Sequence, residues 1–123
     1  HAKDYTEMQW RIMQQKKPKD YVIATGHAYS VKQFVNIAAD YLGMKILWSG
    51  KGLNEIGYTF NKNKKEILIK IDKKYFRPNE VEYLKGDASK ALKDLKFKPK
   101  YSFKALVEDM IDSDLLEAKK ELE

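Results

Sequence analysis

One short stretch of the chain combines residue types suited to holding a phosphate-bearing ligand. It reads Tyr75-Phe76-Arg77-Pro78-Asn79-Glu80 and contains one of only two arginines among the 24 lysines and arginines of the chain. A guanidinium group is a planar fork that can hold two oxygens of a phosphate or carboxylate at once. Pro78 biases Arg77 toward an extended backbone, and Glu80 can accept hydrogen bonds from paired hydroxyls. The pattern favours a binding site for a sugar nucleotide. The alternative is an arginine that only stabilises a loop.

The composition indicates one folded domain with a basic middle. At 123 residues, of which 43% are hydrophobic and 12% aromatic, the chain can bury one core but not two. Residues 62–104 carry 14 basic and 6 acidic side chains, whereas residues 105–123 carry 2 and 7. A basic middle favours anionic ligands, either nucleic acid or phosphorylated metabolites.

The absence of cysteine narrows the chemistry. It excludes disulfide scaffolds, Cys-ligated zinc and thiol catalysis, and it is compatible with a reducing cytosol, so we expect a cytoplasmic protein. No apolar run approaches the roughly 18 residues that span a bilayer, and no signal peptide is visible. We therefore expect no membrane partner.

The first half of the chain predicts a β-α-β order. Tyr21-Val22-Ile23-Ala24-Thr25 is a short apolar run typical of a strand buried on both faces. Ser30 and Gln33 have the spacing of a capping box, and an apolar helical face follows until Gly43. Ile46-Leu47-Trp48 is a second strand candidate. This alternation favours the mixed α/β class.

The flanking segments predict helices and a hairpin. The first helix has an apolar face but no Ser, Thr, Asp or Asn ahead of it, from which we expect a cut chain. Residues 58–61 and 66–71 flank a polar turn at 62–65, which predicts a hairpin with one face of isoleucines buried. Asp87 is the expected cap of a short helix, and Ser102 that of the last helix, whose apolar side holds Phe103, Leu106, Val107, Met110, Ile111 and Leu115.

Taken in order, these stretches resemble one known family. The chain is similar to the C-terminal part of the GDP-mannose 4,6-dehydratases, which are extended short-chain dehydrogenases/reductases, over essentially all of its 123 residues. The combination of Phe-Arg-Pro-Asn-Glu-Val with Gly-Asp-Ala-Ser-Lys-Ala is the narrowest signal. The matching stretches are His1-Ala2-Lys3-Asp4-Tyr5, residues 20–25, Ser30-Val31-Lys32-Gln33-Phe34, residues 75–82, residues 86–91 and Pro99-Lys100-Tyr101-Ser102-Phe103.

The resemblance implies that residues 1–123 are a single partial domain, the substrate-binding portion of a larger enzyme. An N-terminal Rossmann domain, absent here, would hold NADP(H). The complete enzyme would be a lyase that converts GDP-mannose to GDP-4-keto-6-deoxymannose, for GDP-fucose and deoxysugar biosynthesis, and would form a homo-oligomer, a dimer or tetramer. Arg77 would contact the pyrophosphate, Glu80 the ribose, and Lys51 the edge of the nucleotide.

The chain supplies no catalytic, cofactor-binding or metal-binding candidate. Gly50-Lys51-Gly52 does not match the dinucleotide-binding fingerprint, because the residues that follow it, Leu53-Asn54-Glu55, are too polar and the segment has too few glycines. The family's catalytic Tyr-x-x-x-Lys spacing occurs at Tyr41 and Tyr58. The first spans a helix end broken by glycine, and the second lies on a predicted strand, where positions four apart are more than about 12 Å from each other. His27 is expected in a turn. We therefore expect the chain to be inactive alone.

Other functions compete with this interpretation. One is a stand-alone GDP-sugar-binding module without chemistry, and another is a fragment of a related nucleotide-sugar epimerase or reductase. A basic nucleic-acid-binding domain is a third, but most aromatic residues fall on apolar faces and arginine, the usual base reader, is scarce. We therefore expect no nucleic-acid partner.

Overall fold

The computed structural model describes residues 1–81 and 83–122. Glu82, the last residue of the 75–82 motif, and Glu123 lie outside the described residues. The chain divides into two compact units, one formed by His1–Ser30 with Tyr83–Glu123 and the other by Val31–Glu82. The elements are helices α1 (Ala2–Met13), α2 (Val31–Tyr41), α3 (Ser89–Leu95) and α4 (Phe103–Glu121) and strands β1 (Leu47–Ser49), β2 (Ile56–Asn61) and β3 (Lys64–Lys70).

The first unit has its core where α1 meets α3. Met8, Ala91, Leu95 and Phe97 are buried together, with four half-buried neighbours, Ile12, Tyr21, Ile23 and Ala88. The left-handed backbone of Lys96, at φ 56°, ends α3 and turns Phe97 back into this cluster. No helix among the described residues is long and apolar enough to cross a membrane.

The N-terminal cap of α1 differs from the prediction. His1 Nδ1 accepts a hydrogen bond from the Lys3 backbone N–H at 3.1 Å. The expectation of an uncapped helix was therefore wrong, because an imidazole nitrogen can accept a first-turn N–H as a serine or aspartate oxygen does. At the other end, Arg11 donates to the Leu95 carbonyl at 2.8 Å, which ties α1 to the end of α3.

Of the two caps predicted in the second half of the chain, that at Ser102 is confirmed, whereas the N-cap of α3 is Ala88 and Asp87 lies one residue before it. Asp87 Oδ1 accepts from the Ser89 backbone N–H at 2.9 Å, and Ser102 Oγ accepts from the Ala105 N–H at 3.1 Å. Each oxygen satisfies a helix N–H that has no carbonyl partner. Along α4, Val107 is fully buried.

The strand predicted at residues 21–25 does not form. The segment has no regular secondary structure, and Val22 is 53% exposed. A strand needs a neighbour to hydrogen-bond with, and within the described residues the three strands pair only with one another. The predicted β-α-β order was therefore wrong, although the broader prediction of a mixed helix-and-sheet fold is confirmed.

The second unit places α2 beside an antiparallel sheet in the order β1-β2-β3. The predicted hairpin is confirmed, with Phe60 opposite Lys65 and a turn at Lys62 and Asn63, whose φ angles are 48° and 64°. Two successive positive φ values match the right-handed strand twist. A bulge at Gly57 and Tyr58 interrupts the alternation.

The bulge explains why the isoleucines of β3 are not all buried on one face, contrary to the prediction. Ile69 is half-buried and lies opposite Gly57, where a side chain would come within 3.1 Å of it. Ile67, by contrast, is 45% exposed, and Ile71 lies beyond the end of β3 at 41% exposure. The prediction of one buried face along all three isoleucines was wrong.

Candidate functional site

The structure places the predicted ligand residues Arg77 and Glu80 at the two ends of one turn. Pro78 and Asn79 form the turn itself. The Cα atoms at the two ends of such a turn lie within about 7 Å of each other, so both side chains can reach one ligand. Pro78 suits the second position of the turn because its ring presets φ.

A short 3-10 helix leads into this turn. It spans Lys73–Tyr75, and Asp72 Oδ1 caps it by accepting from the Lys74 N–H at 2.9 Å. Phe76 follows with φ −70° and ψ 126°, so the chain enters Arg77 in extended form. Tyr75 and Phe76, which directly precede Arg77 in the sequence, are 73% and 53% exposed, and Lys74 Nζ lies 5.4 Å from the centre of the Tyr75 ring. Their role was not predicted from the sequence, although their position next to Arg77 was visible.

The charge around the turn is positive. Seven basic and two acidic side chains lie between Lys62 and Arg77. Arg77 and Glu80 are exposed, and neither makes a hydrogen bond or ion pair with another described residue. Both groups are thus available to a ligand, and the basic surroundings favour an anionic one.

Lys51, the third predicted residue, lies on a tight glycine loop. Gly50 and Gly52 have φ values of 90° and 55°, and a side chain on Gly50 would clash with the Asn54 backbone. The loop closes with a 3-10 turn, in which the Asn54 N–H donates to the Lys51 carbonyl at 3.2 Å. Lys51 is exposed on this loop, and among the described residues it makes no ion pair with Glu80.

A cluster that the sequence analysis missed lies beside this loop. Lys32 of α2 forms an ion pair with Glu55 at 2.7 Å, and its Nζ lies 4.7 Å from the centre of the Trp48 ring. One turn further along α2, Asn36 Oδ1 accepts from Trp48 Nε1–H at 2.8 Å. The four-residue spacing of Lys32 and Asn36 was the available signal, since it puts both on one helical face.

Two clefts of the first unit are lined by other residues than the predicted ligand residues. One, of about 490 Å³, lies between residues 24–26 and 85–89 and includes Asp87 and Ser89. The pKa of Asp87 is lowered because the Ser89 hydroxyl and backbone N–H both donate to its carboxylate. Gly86 is needed here, because a Cβ on it would lie 2.7 Å from that of Ala24.

The other cleft, of about 680 Å³, is rich in aromatic rings. Tyr29 stacks on Phe103 with ring centres 4.0 Å apart, and His1 stacks on Tyr101 at 3.9 Å. His27 also lines this cleft; it follows a bend at Gly26 and does not lie in the turn that was expected. Among the described residues, no group of three or more His, Cys, Asp or Glu side chains could hold a metal ion.

Asp4 is a second feature that sequence reasoning missed. Asp4 lies in the first turn of α1 and is only 4% exposed. Its two carboxylate oxygens accept hydrogen bonds from the backbone N–H groups of Lys100 and Tyr101 at 3.1–3.2 Å. It thereby fixes the segment that leads into α4. The pattern gave no warning of this, because an aspartate in the first turn of a helix is ordinarily a solvated residue.

Comparison with known proteins identifies the family. A model of the GDP-mannose 4,6 dehydratase family matches residues 1–110. The chain belongs to this family. It is 44% identical to the GDP-mannose 4,6 dehydratase of Drosophila melanogaster and 42% identical to that of Homo sapiens, in each case over 94% of this chain. It is also 41% identical, over 97% of its length, to the GDP-mannose 4,6-dehydratase of Yersinia enterocolitica.

The match covers only part of each relative. The chain spans 29%, 30% and 34% of the lengths of the Drosophila, human and Yersinia proteins. It therefore corresponds to about a third of a GDP-mannose 4,6-dehydratase, and the resemblance noted from the sequence is confirmed at the level of the family.

Proposed function

We propose that this chain is the C-terminal, GDP-sugar-binding portion of a GDP-mannose 4,6-dehydratase. The family match over residues 1–110 supports the assignment. The observation that carries the binding role is the turn with Arg77 and Glu80 at its ends, in a basic segment and without partners among the described residues. Residues 1–123 would act as one substrate-binding domain made of the two compact units.

Each proposed contact follows from the chemistry of the group. Arg77 would donate two parallel N–H bonds to the pyrophosphate, and Glu80 would accept from the ribose hydroxyls. Lys51 would approach the edge of the nucleotide as a mobile charge. A charge-assisted hydrogen bond contributes about 1.5–3 kcal/mol, so Arg77 would be the largest single contributor.

The complete enzyme would convert GDP-mannose to GDP-4-keto-6-deoxymannose, a lyase reaction in the route to GDP-fucose and related deoxysugars. Its fold would be that of an extended short-chain dehydrogenase/reductase with NADP(H) as cofactor. The residues described here do not fit that cofactor. The glycine loop after β1 leads into the three-residue 3-10 turn Gly52–Asn54, whereas a pyrophosphate site needs the N-terminus of an α-helix.

Three further properties are part of the proposal. The chain contributes no catalytic residue and is inactive alone, the complete enzyme is a homo-oligomer, and it acts in the cytoplasm. GDP-mannose is its small-molecule partner, and neither nucleic acid nor a membrane is needed for its action.

The test is to supply GDP-mannose to the complete enzyme and to this chain by itself. We expect the complete enzyme to form the 4-keto-6-deoxy product and the isolated chain to form none. If the complete protein binds GDP but does not consume GDP-mannose, it is instead a non-catalytic module. Conversion to an epimerised or reduced sugar would identify a related enzyme of the same superfamily.

A further inference from the structure

The loop that carries Lys51 is held at both ends by one face of α2. Trp48 lies in β1, just before the loop, and Glu55 lies directly after the 3-10 turn that closes it. Both are bound by side chains of α2, Trp48 through Asn36 and Glu55 through Lys32. The six residues between them are thus bracketed by contacts to a single rigid element.

Lys32 is the centre of this arrangement because it contacts both ends of the loop. Its ammonium group pairs with the Glu55 carboxylate at 2.7 Å and lies over the Trp48 ring at 4.7 Å. The side chains of Lys32 and Glu55 are 42% and 29% exposed, so the pair is partly shielded from solvent. A cation held between a carboxylate and an indole face has two independent attractions that favour one position.

The loop itself leaves little freedom once its ends are fixed. The backbone of Gly50 packs against that of Asn54, and the Glu55 N–H donates to the Gly52 carbonyl at 3.1 Å. An exposed lysine on a free loop would lose backbone entropy each time it bound a ligand, whereas a loop fixed in advance loses much less.

We propose that Lys32 is a positioning residue for the nucleotide-sugar ligand: through Glu55 and Trp48 it fixes the glycine loop so that Lys51 is presented to the edge of the nucleotide. Lys32 itself does not touch the ligand in this arrangement. The inference rests on the proposed function, since it assumes that Lys51 borders the GDP site.

The experiment measures two properties of the complete enzyme, GDP affinity by calorimetry and amide hydrogen exchange of residues 50–55 by mass spectrometry. Lys32→Met keeps the apolar stem and removes the charge. We expect loop exchange to quicken about threefold to tenfold, and the Kd for GDP to rise about threefold to fivefold, as loss of a half-exposed ion pair and a cation–π contact would produce. Lys32→Arg should keep the loop exchange rate and the Kd for GDP near their wild-type values, because a guanidinium can make both contacts.

A double-mutant comparison separates positioning from general destabilisation. If Lys32 acts through Lys51, Lys32→Met should have no further effect on GDP affinity in a Lys51→Met background. The matched control is Lys3→Met, which removes a lysine of the first unit whose Nζ lies 5.7 Å from the centre of the Tyr101 ring. It should leave both GDP affinity and the exchange of residues 50–55 unchanged.

The outcomes that overturn the inference differ from those that overturn the proposed function. A wild-type enzyme that binds GDP, with an affinity that Lys32→Met does not alter, contradicts the positioning role alone. The positioning role is also contradicted if the losses of GDP affinity in Lys32→Met and Lys51→Met add in full in the double mutant. A wild-type enzyme that does not bind GDP contradicts the proposed function itself.

Discussion

The buried carboxylate of Asp4 gives the sharpest prediction about the fold. Asp4→Ala removes the acceptor for the backbone N–H groups of Lys100 and Tyr101 in a residue that is 4% exposed. A buried donor that loses its partner costs about 1–3 kcal/mol, and two such donors, partly reached by water after the change, should cost about 2–3 kcal/mol in total. Because about 1.4 kcal/mol is a factor of ten, these two amides should exchange with solvent about 30 to 150 times faster.

The assay is amide hydrogen exchange of residues 97–103, followed by mass spectrometry in the complete enzyme. Asp4→Asn should give an intermediate acceleration, because its carbonyl oxygen can replace one carboxylate oxygen but its amide nitrogen cannot accept. Asp40→Ala is the control, since Asp40 is an exposed residue in α2. Exchange that stays at the wild-type rate in Asp4→Ala would refute the role assigned to this carboxylate.

Two other predictions concern pH and the glycine loop. The pKa of Glu7 is lowered by hydrogen bonds from Lys100 and Arg11, so its contribution to stability is present above the ordinary value of 4.5 and is lost as the pH falls below it. The thermal unfolding midpoint of the wild type should therefore fall more steeply between about pH 5 and pH 3 than that of Glu7→Gln, and equal slopes would contradict this. Gly50→Ala should weaken GDP binding about fivefold or more, because the added methyl group meets the Asn54 backbone at a positive φ; an unchanged Kd would show that the loop is not part of the site.

Local signals predicted the cap of the last helix and the hairpin from the sequence. Ser102 is a short polar side chain directly before an apolar helical pattern, and its cap depends on a neighbour only three residues away. The hairpin was likewise visible because two apolar runs flank a short polar turn. Such features depend little on the rest of the chain, which is why the pattern sufficed.

Features that depend on distant neighbours were not predicted. The apolar run at residues 21–25 has the composition of a strand, but a strand also needs a hydrogen-bonding neighbour, and the sequence does not show whether one is near. Asp4 accepts from residues almost a hundred positions away, and Lys32 binds Glu55 across 23 positions. At the candidate site, Arg77 and Glu80 could be proposed from the sequence because proline and arginine are local signals, whereas the contacts of Lys32 with Glu55 and Trp48 could not.

The most direct test of the central claim is the affinity of the complete enzyme for GDP after Arg77→Lys. Lysine keeps the positive charge but loses the fork that holds two phosphate oxygens. Lys73→Gln is the control, because it removes a charge from the same segment without altering the fork. The Kd for GDP should rise about tenfold or more in Arg77→Lys, in line with the loss of one charge-assisted hydrogen bond, and less than about threefold in Lys73→Gln. An Arg77→Lys enzyme that binds GDP as tightly as the wild type would contradict the proposed site.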